Sequence, residues 1–250
     1  MGAIISAVII TYNEEEHIGA CLESIAWVDE IIVIDAESTD RTVDLCMKYT
    51  DKVYIVPWKG FAAQKNYGID QATGTWVLCI DADERITIPL RQEIELVLIN
   101  DKGFDGFYIP RRNYLGARWM RGAGLYPDYQ LRLFRRCKGR FINNVHEVVS
   151  LDGSSGYLKE ALEHLTYNSL FDYVQKINAY TSIEAKEETT SVEILQLFLL
   201  PLKTLLVSFF LYGGWKDGKL GAINSIMRGY YVFLKYAKIW EKDEHKFERL

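Results

Sequence analysis

The sequence predicts an α/β fold, with a mostly parallel sheet flanked by helices over residues 1–190 and a hydrophobic helical appendage over 191–250. Three observations predict it. Short runs dense in β-branched residues alternate with helix-patterned stretches through the first two-thirds of the chain, as strand–helix–strand units do. Chemically active side chains follow those strands directly, and ligands of open α/β sheets gather at strand carboxyl ends. The grammar then changes near Ile194, where an almost unbroken apolar run extends to Tyr212.

Taken in order, Ile4–Ile10 is the first strand, and the polar loop Thr11-Tyr12-Asn13 follows it. Acids opening the next stretch suit a helix N-terminus, which predicts a helix from Glu14 to about Ala26. Glu30–Asp35 is the second strand, and Ser38-Thr39-Asp40 offers N-cap chemistry for a helix reaching Tyr49. Val53–Val56 is a third strand closed by Pro57, Ala62–Ala72 a helix stopped by Gly74, and Trp76–Ile80 a buried fourth strand. Beyond Phe104, strands are expected at Gly106–Pro110 and Tyr129–Phe134, joined by the aromatic, arginine-rich loop Tyr114–Tyr126. Leu158–Leu165 then leads into a helix over Leu170–Glu188.

The fourth strand ends in Asp81-Ala82-Asp83. Side chains two apart on an extended segment point the same way, so these like charges repel unless a hard cation lies between them and a phosphate. Oxygen ligands with phosphate suit Mg²⁺ or Mn²⁺. Thr11, Asp35 and Asp81 all follow strands and so share one expected crevice.

At 250 residues, with 49% hydrophobic and 25% charged residues, the chain is globular and large enough for a substantial core. The scattered cysteines Cys21, Cys46, Cys79 and Cys137 lack metal-ligand spacing and read as thiols of a reducing compartment. No signal peptide is expected at the N-terminus. Net charge is −5, yet Arg111–Arg140 holds nine basic residues and one acid, Asp128. Such segregation attracts an anionic partner.

Near the C-terminus, Glu193, Gln196, Lys203, Thr204 and Ser208 fall on one side of a helix otherwise apolar, a pattern suited to a membrane interface. A second helix over Ile226–Trp240 places Arg228, Lys235 and Lys238 on one face among Tyr230, Tyr231, Phe233, Tyr236 and Trp240, as at headgroup level.

Together these residues resemble the family 2 glycosyltransferases of the GT-A fold. Val8-Ile9-Ile10-Thr11-Tyr12-Asn13-Glu14-Glu15 is similar to that family's first strand and nucleotide loop, and Ile32-Val33-Ile34-Asp35-Ala36-Glu37-Ser38-Thr39-Asp40 to its second-strand signature. Gln64-Lys65-Asn66 and Ala72-Thr73-Gly74 match the helix before the metal strand, and Asp81-Ala82-Asp83 matches the metal motif. Ile109–Tyr114, Tyr126–Arg136, Val145-His146-Glu147 and the hydrophobic tail resemble a bacterial subgroup that builds the inner core of lipopolysaccharide. One departure stands out. Where the family often carries Asp-Asp-Gly-Ser, this chain reads Asp35-Ala36-Glu37-Ser38, which removes the aspartate often assigned to the base.

The resemblance implies an inverting, metal-dependent transfer, without a covalent enzyme intermediate, from a UDP-sugar, glucose being favoured, to an anionic glycolipid. Thr11, Glu14, Asp35, Lys65 and Asp81 are then expected around the nucleotide sugar, and Asp81, Asp83 and His164 around the metal. Glu147 is the favoured base and Asp128 the alternative. Arg111, Arg112, Arg132, Arg135 and His146 would serve the acceptor, with Tyr114, Trp119 and Tyr126 available to stack on sugars. The enzyme is expected in the cytoplasm, peripheral on the inner face of the bacterial inner membrane, with no nucleic-acid partner. A polyprenyl-phosphate sugar synthase is the rival with the same chemistry. A sugar-1-phosphate nucleotidyltransferase would need a glycine-rich loop after the first strand, and Thr11-Tyr12-Asn13-Glu14 has no glycine. A haloacid-type phosphatase would carry its Asp-x-Asp after the first strand, not the fourth.

Overall fold

The computed structural model describes residues 4–100, 103–143, 147–188 and 192–247; His146, expected at the acceptor, lies outside the described residues. By packing, the chain forms two compact units: Met1–Arg111 with Tyr129–His164, and Arg112–Asp128 with Leu165–Leu250. The arginine-rich loop and the helical stretch before residue 190 fall in the second unit with the C-terminal helices.

The first unit opens with β1 (Ile5–Thr11), α1 (Ile18–Ser24), β2 (Glu30–Asp35), α2 (Thr42–Cys46), β3 (Val53–Ile55), α3 (Phe61–Gln71) and β4 (Trp76–Asp81). Next along the chain come β5 (Glu84–Arg85), α4 (Ile88–Ile99), β6 (Gly106–Leu115), β7 (Arg118–Trp119, in the second unit), β8 (Asp128–Arg135), β9 (Gly139–Ile142), β10 (Val148–Leu151), β11 (Ser155–Tyr157) and β12 (Leu162–Tyr167), the ends of β6 and β12 running into the second unit. The main sheet runs β3-β2-β1-β4-β8-β6-β12-β5. Its first four strands are parallel, as expected, whereas β8 joins β4 and β12 joins β5 antiparallel.

Alternation along β1 fills both faces. Ile5, Ala7 and Ile9 pack with α1 and α4 through Ile18, Leu22, Leu90 and Ile94, and Val8 packs on the other side with Ile32, Ile34 and Ile69. Gly68 lets α3 lie close on that second face, because a Cβ there would strike Val8. A helix between parallel strands runs back across the sheet, so the first turns of α3 lie level with the strands' carboxyl ends.

Two helices are shorter than their sequence pattern. Residues before Ile18 form a turn, in which Glu14 donates its N–H to Thr42 Oγ1 and its carbonyl accepts from His17 and Ile18. Ser38 does not cap α2; its N–H and hydroxyl are spent on Asp35, and Asp40 receives the Thr42 N–H instead. Cys46 and Cys79 are buried core thiols, both pushed up to about 12 by burial.

The second unit contains α5 (Leu170–Glu187), α6 (Ile194–Leu206), a π-turn over Val207–Leu211, a 3₁₀ turn over Gly214–Asp217 and α7 (Gly218–Phe247). Ser169 caps α5 by accepting the Asp172 N–H. Gly229 brings α7 against Pro201 and Leu205 of α6. Asp217 accepts the N–H groups of Arg121 and Gly122 at 2.9 and 2.6 Å, which anchors the arginine-rich loop within this unit.

Several of the tail's polar groups turn towards the protein. Ser208 is buried, Thr204 is half-buried and bonds the carbonyl of Leu200, and Gln196 closes a capping box with Glu193. The basic side of α7 also turns inward: Arg228 donates to the carbonyl of Ala123, Lys235 pairs with Glu184 at 2.9 Å, and Lys238 reaches Asn178, Thr181 and Ser182 of α5. What α6 presents outward is Ile194, Leu195, Phe198, Leu199, Leu202 and Leu206. Ile194–Leu211 is long and apolar enough to cross a membrane, and only 6% of it is buried.

Candidate active site

The parallel register sets Thr11 beside Asp35 and Ile10 beside Asp81, so three strand ends meet at one edge. Asp35 is fully buried there. Its carboxylate accepts from Thr11 Oγ1 at 2.8 Å, Ser38 N at 2.8 Å and Ser38 Oγ at 2.6 Å. Asn13 then ties the two loops together, donating its N–H to Ser38 and accepting from Thr39. Glu37, which stands where the family often has glycine, keeps a positive φ of 60°. An L side chain tolerates that conformation poorly, so the loop is held by its surroundings.

Asp81 lies between two cations. Lys65 Nζ is 2.9 Å from Oδ1, and Arg132 Nη2 is 2.5 Å from Oδ2. Burial alone would raise the Asp81 carboxyl, but Arg132 and Lys65 outweigh it and hold it well below the usual carboxylate range. Lys65 is itself buried on α3; desolvation would lower its ammonium, and Asp81 keeps it raised. Lys65 also reaches Glu147 Oε1 at 2.8 Å, so the favoured base shares a cation with the first aspartate.

Asp83 is brought to a different partner. The β5–β12 pairing sets His164 opposite Glu84, and His164 Nε2 lies 3.4 Å from Asp83 Oδ2. Asp83 and His164 thus form a two-donor pair suited to one cation. The two oxygens of Asp81, also expected at the metal, are each met by a cation, Lys65 and Arg132. Among the described residues no three His, Cys, Asp or Glu groups converge on one point. Two protein donors, with phosphate oxygens and water supplying the rest, fit the habits of Mg²⁺ or Mn²⁺.

The arginines separate. Arg132, expected at the acceptor, is 5% exposed and pairs with Asp81 and Glu84. Arg135 lies at the opposite end of β4, paired in register with Trp76, its guanidinium over that ring and 3.5 Å from Asp105. Arg111 reaches Glu84 at 3.3 Å. In the second unit, Arg112 and Arg121 both lie over Trp119, and Tyr126 meets its edge. Asp128, the alternative base, accepts from Asn113 Nδ2 at 3.3 Å.

Sequence reasoning passed over Glu84. It is fully buried and receives the Asp81 N–H at 2.9 Å, Arg132 at 2.6 Å and Arg111 at 3.3 Å. The available signal was a carboxylate three residues after Asp81, the spacing at which a side chain reaches back to a turn's first N–H.

The profile of Glycosyl transferase family 2 matches residues 6–166. The chain is 31% identical to the lipopolysaccharide core biosynthesis glycosyltransferase LpsC of Rhizobium meliloti, over 95% of this chain and 92% of that protein. Its fold is similar to that of the mannosyltransferase PcManGT from Pyrobaculum calidifontis, solved in complex with GDP-Man and Mn²⁺, with a TM-score of 0.55 and 15% identity over 97% of this chain and 88% of that one. It is also similar to S. aureus TarS, with a TM-score of 0.50 and 18% identity over 97% of this chain and 55% of that one. The chain belongs to glycosyl transferase family 2 and is a nucleotide-sugar-dependent glycosyltransferase with the GT-A fold.

Proposed function

We propose that this enzyme transfers a sugar, glucose in our reading, from UDP to an anionic glycolipid such as the inner core of lipopolysaccharide. The observation that carries the reading is the Asp83–His164 pair beside a clamped Asp81 at the carboxyl edge of the parallel strands. The likeness to LpsC, whose name specifies lipopolysaccharide core biosynthesis, supports the acceptor class.

Asp83 and His164 would hold Mg²⁺ or Mn²⁺, which would offset the charge of the departing diphosphate. Thr11, Asp35 and Glu14 shape the nucleoside end of the crevice, and Asp81 meets the donor from between Lys65 and Arg132. Glu147 accepts the proton of the attacking acceptor hydroxyl as the sugar–phosphate bond breaks, giving inversion in one displacement. In our reading Arg111, 3.3 Å from Glu84, is an arginine of this unit that meets the anionic acceptor. The outward apolar side of α6 supports a position on the cytoplasmic face of a membrane. With Lys203 exposed on that helix, lying in the interface costs less than crossing.

Radiolabelled UDP-glucose supplied with Mn²⁺ and either truncated lipopolysaccharide core or polyprenyl phosphate tests the reading. Label is expected on the core. Label on polyprenyl phosphate alone would overturn the acceptor assignment, and the absence of any UDP-sugar turnover would overturn the donor assignment.

A further inference from the structure

We infer that Glu84 is a positioning residue for sugar transfer, acting with Arg132 to fix Asp81 against the donor. This rests on the site proposed above and adds a role to a residue outside it. Glu84 occupies a joint in the chain. Its side chain holds the backbone N–H of Asp81 at 2.9 Å, and its own backbone, in β5, pairs with His164 of β12. The turn between those two attachments contains Asp83. One residue therefore sets the relative placement of Asp81, Asp83 and His164.

Arg132 completes the brace. Its Nη2 lies 2.6 Å from Glu84 Oε1 and 2.5 Å from Asp81 Oδ2, so a single guanidinium nitrogen spans both carboxylates. A carboxylate with no solvent exposure is costly unless its charge and lone pairs are met, and Arg132, Arg111 and the Asp81 amide meet them. An ordinary buried ion pair would serve stability alone. This one ends on the carboxylate and amide of a residue that faces the donor, which ties its geometry to the reaction.

The test is a double-mutant cycle between Glu84→Gln and Asp81→Asn, read as UDP affinity by calorimetry and as kcat and KM for the UDP-sugar. Glutamine still accepts the Asp81 N–H but leaves Arg132 without its second carboxylate. A positioning role predicts that Glu84→Gln lowers kcat/KM about 30-fold in the wild-type background and less than about threefold once Asp81 is Asn, because the group it acts through is gone. Equal losses in both backgrounds would overturn the inference and leave Glu84 a stabilising residue. If Glu84→Gln does not fold, Arg132→Lys replaces it: the charge stays, the shorter side chain does not bring its ammonium to the position of Nη2 between the two carboxylates, and the same non-additivity is required. Wild-type protein that neither binds UDP nor turns over a UDP-sugar would instead sink the proposed function, so the two failures are distinguishable.

Discussion

The site and helix α6 use polarity in opposite senses. Around Asp81, charge is turned inward: Lys65, Arg132 and Glu84 are buried, and each finds an opposite charge within 3 Å. Along α6 and the π-turn after it the arrangement is reversed, with Thr204 and Ser208 turned in and leucines and phenylalanines turned out. Burying ions is expensive, and exposing a long apolar face in water is expensive too. In the proposed function the first arrangement frames a charged ligand and the second meets an apolar environment.

The largest expected effect breaks the electrostatic side. Asp83→Asn should lower sugar transfer by about 10³-fold or more, measured as UDP release with Mn²⁺ present, because one of two protein donors is lost. Glu147→Gln comes next, with kcat reduced about 10²–10³-fold and UDP affinity changed little. Near-normal turnover in that variant would move the base role to Asp128.

The apolar side is broken by Phe198→Glu with Leu202→Glu, two exposed positions on α6. Flotation with anionic phospholipid vesicles should fall about tenfold or more, since each charge replaces a side chain of about 1.5–3 kcal/mol burial value, and the thermal midpoint should hold. Undiminished flotation would remove α6 from the membrane account.

The smallest effect concerns the first unit alone. Glu30 accepts from Ser6, Lys52 and Thr73; burial opposes its ionisation, yet these bonds lower its carboxyl from 4.5 to about 2. A depressed carboxyl contributes stability that is complete above its unfolded value and disappears as pH falls through its folded one. Glu30→Gln should therefore cost about 1–2 kcal/mol at neutral pH, after allowance for solvent screening, and the gap should close as pH approaches 2. Denaturant titrations across that window check it.

What was legible in the sequence was whatever one strand carries to its own end. Thr11, Asp35 and Asp81 each follow an apolar run, and parallel register alone aligns them. The pairing of Asp83 with His164 was legible as chemistry, but its geometry depends on β5 meeting β12 some eighty residues later. Arg132 and Arg135 look equivalent in the run Arg132-Leu133-Phe134-Arg135, yet three strand steps separate them by about 10 Å and put them on opposite faces. The inward turn of Lys238 was illegible for another reason. Its partners are carbonyl and hydroxyl groups of α5, and no local pattern on α7 announces them.

Calorimetric titration of UDP into the protein, with Mn²⁺ and with a chelator, tests the division of labour between Asp81 and Asp83 most directly. Wild-type affinity should drop at least about tenfold on chelation, and Asp83→Asn should bind weakly and show no response to the metal. Wild-type binding that ignores the chelator, or an Asp83→Asn variant that still responds fully to Mn²⁺, would contradict the account.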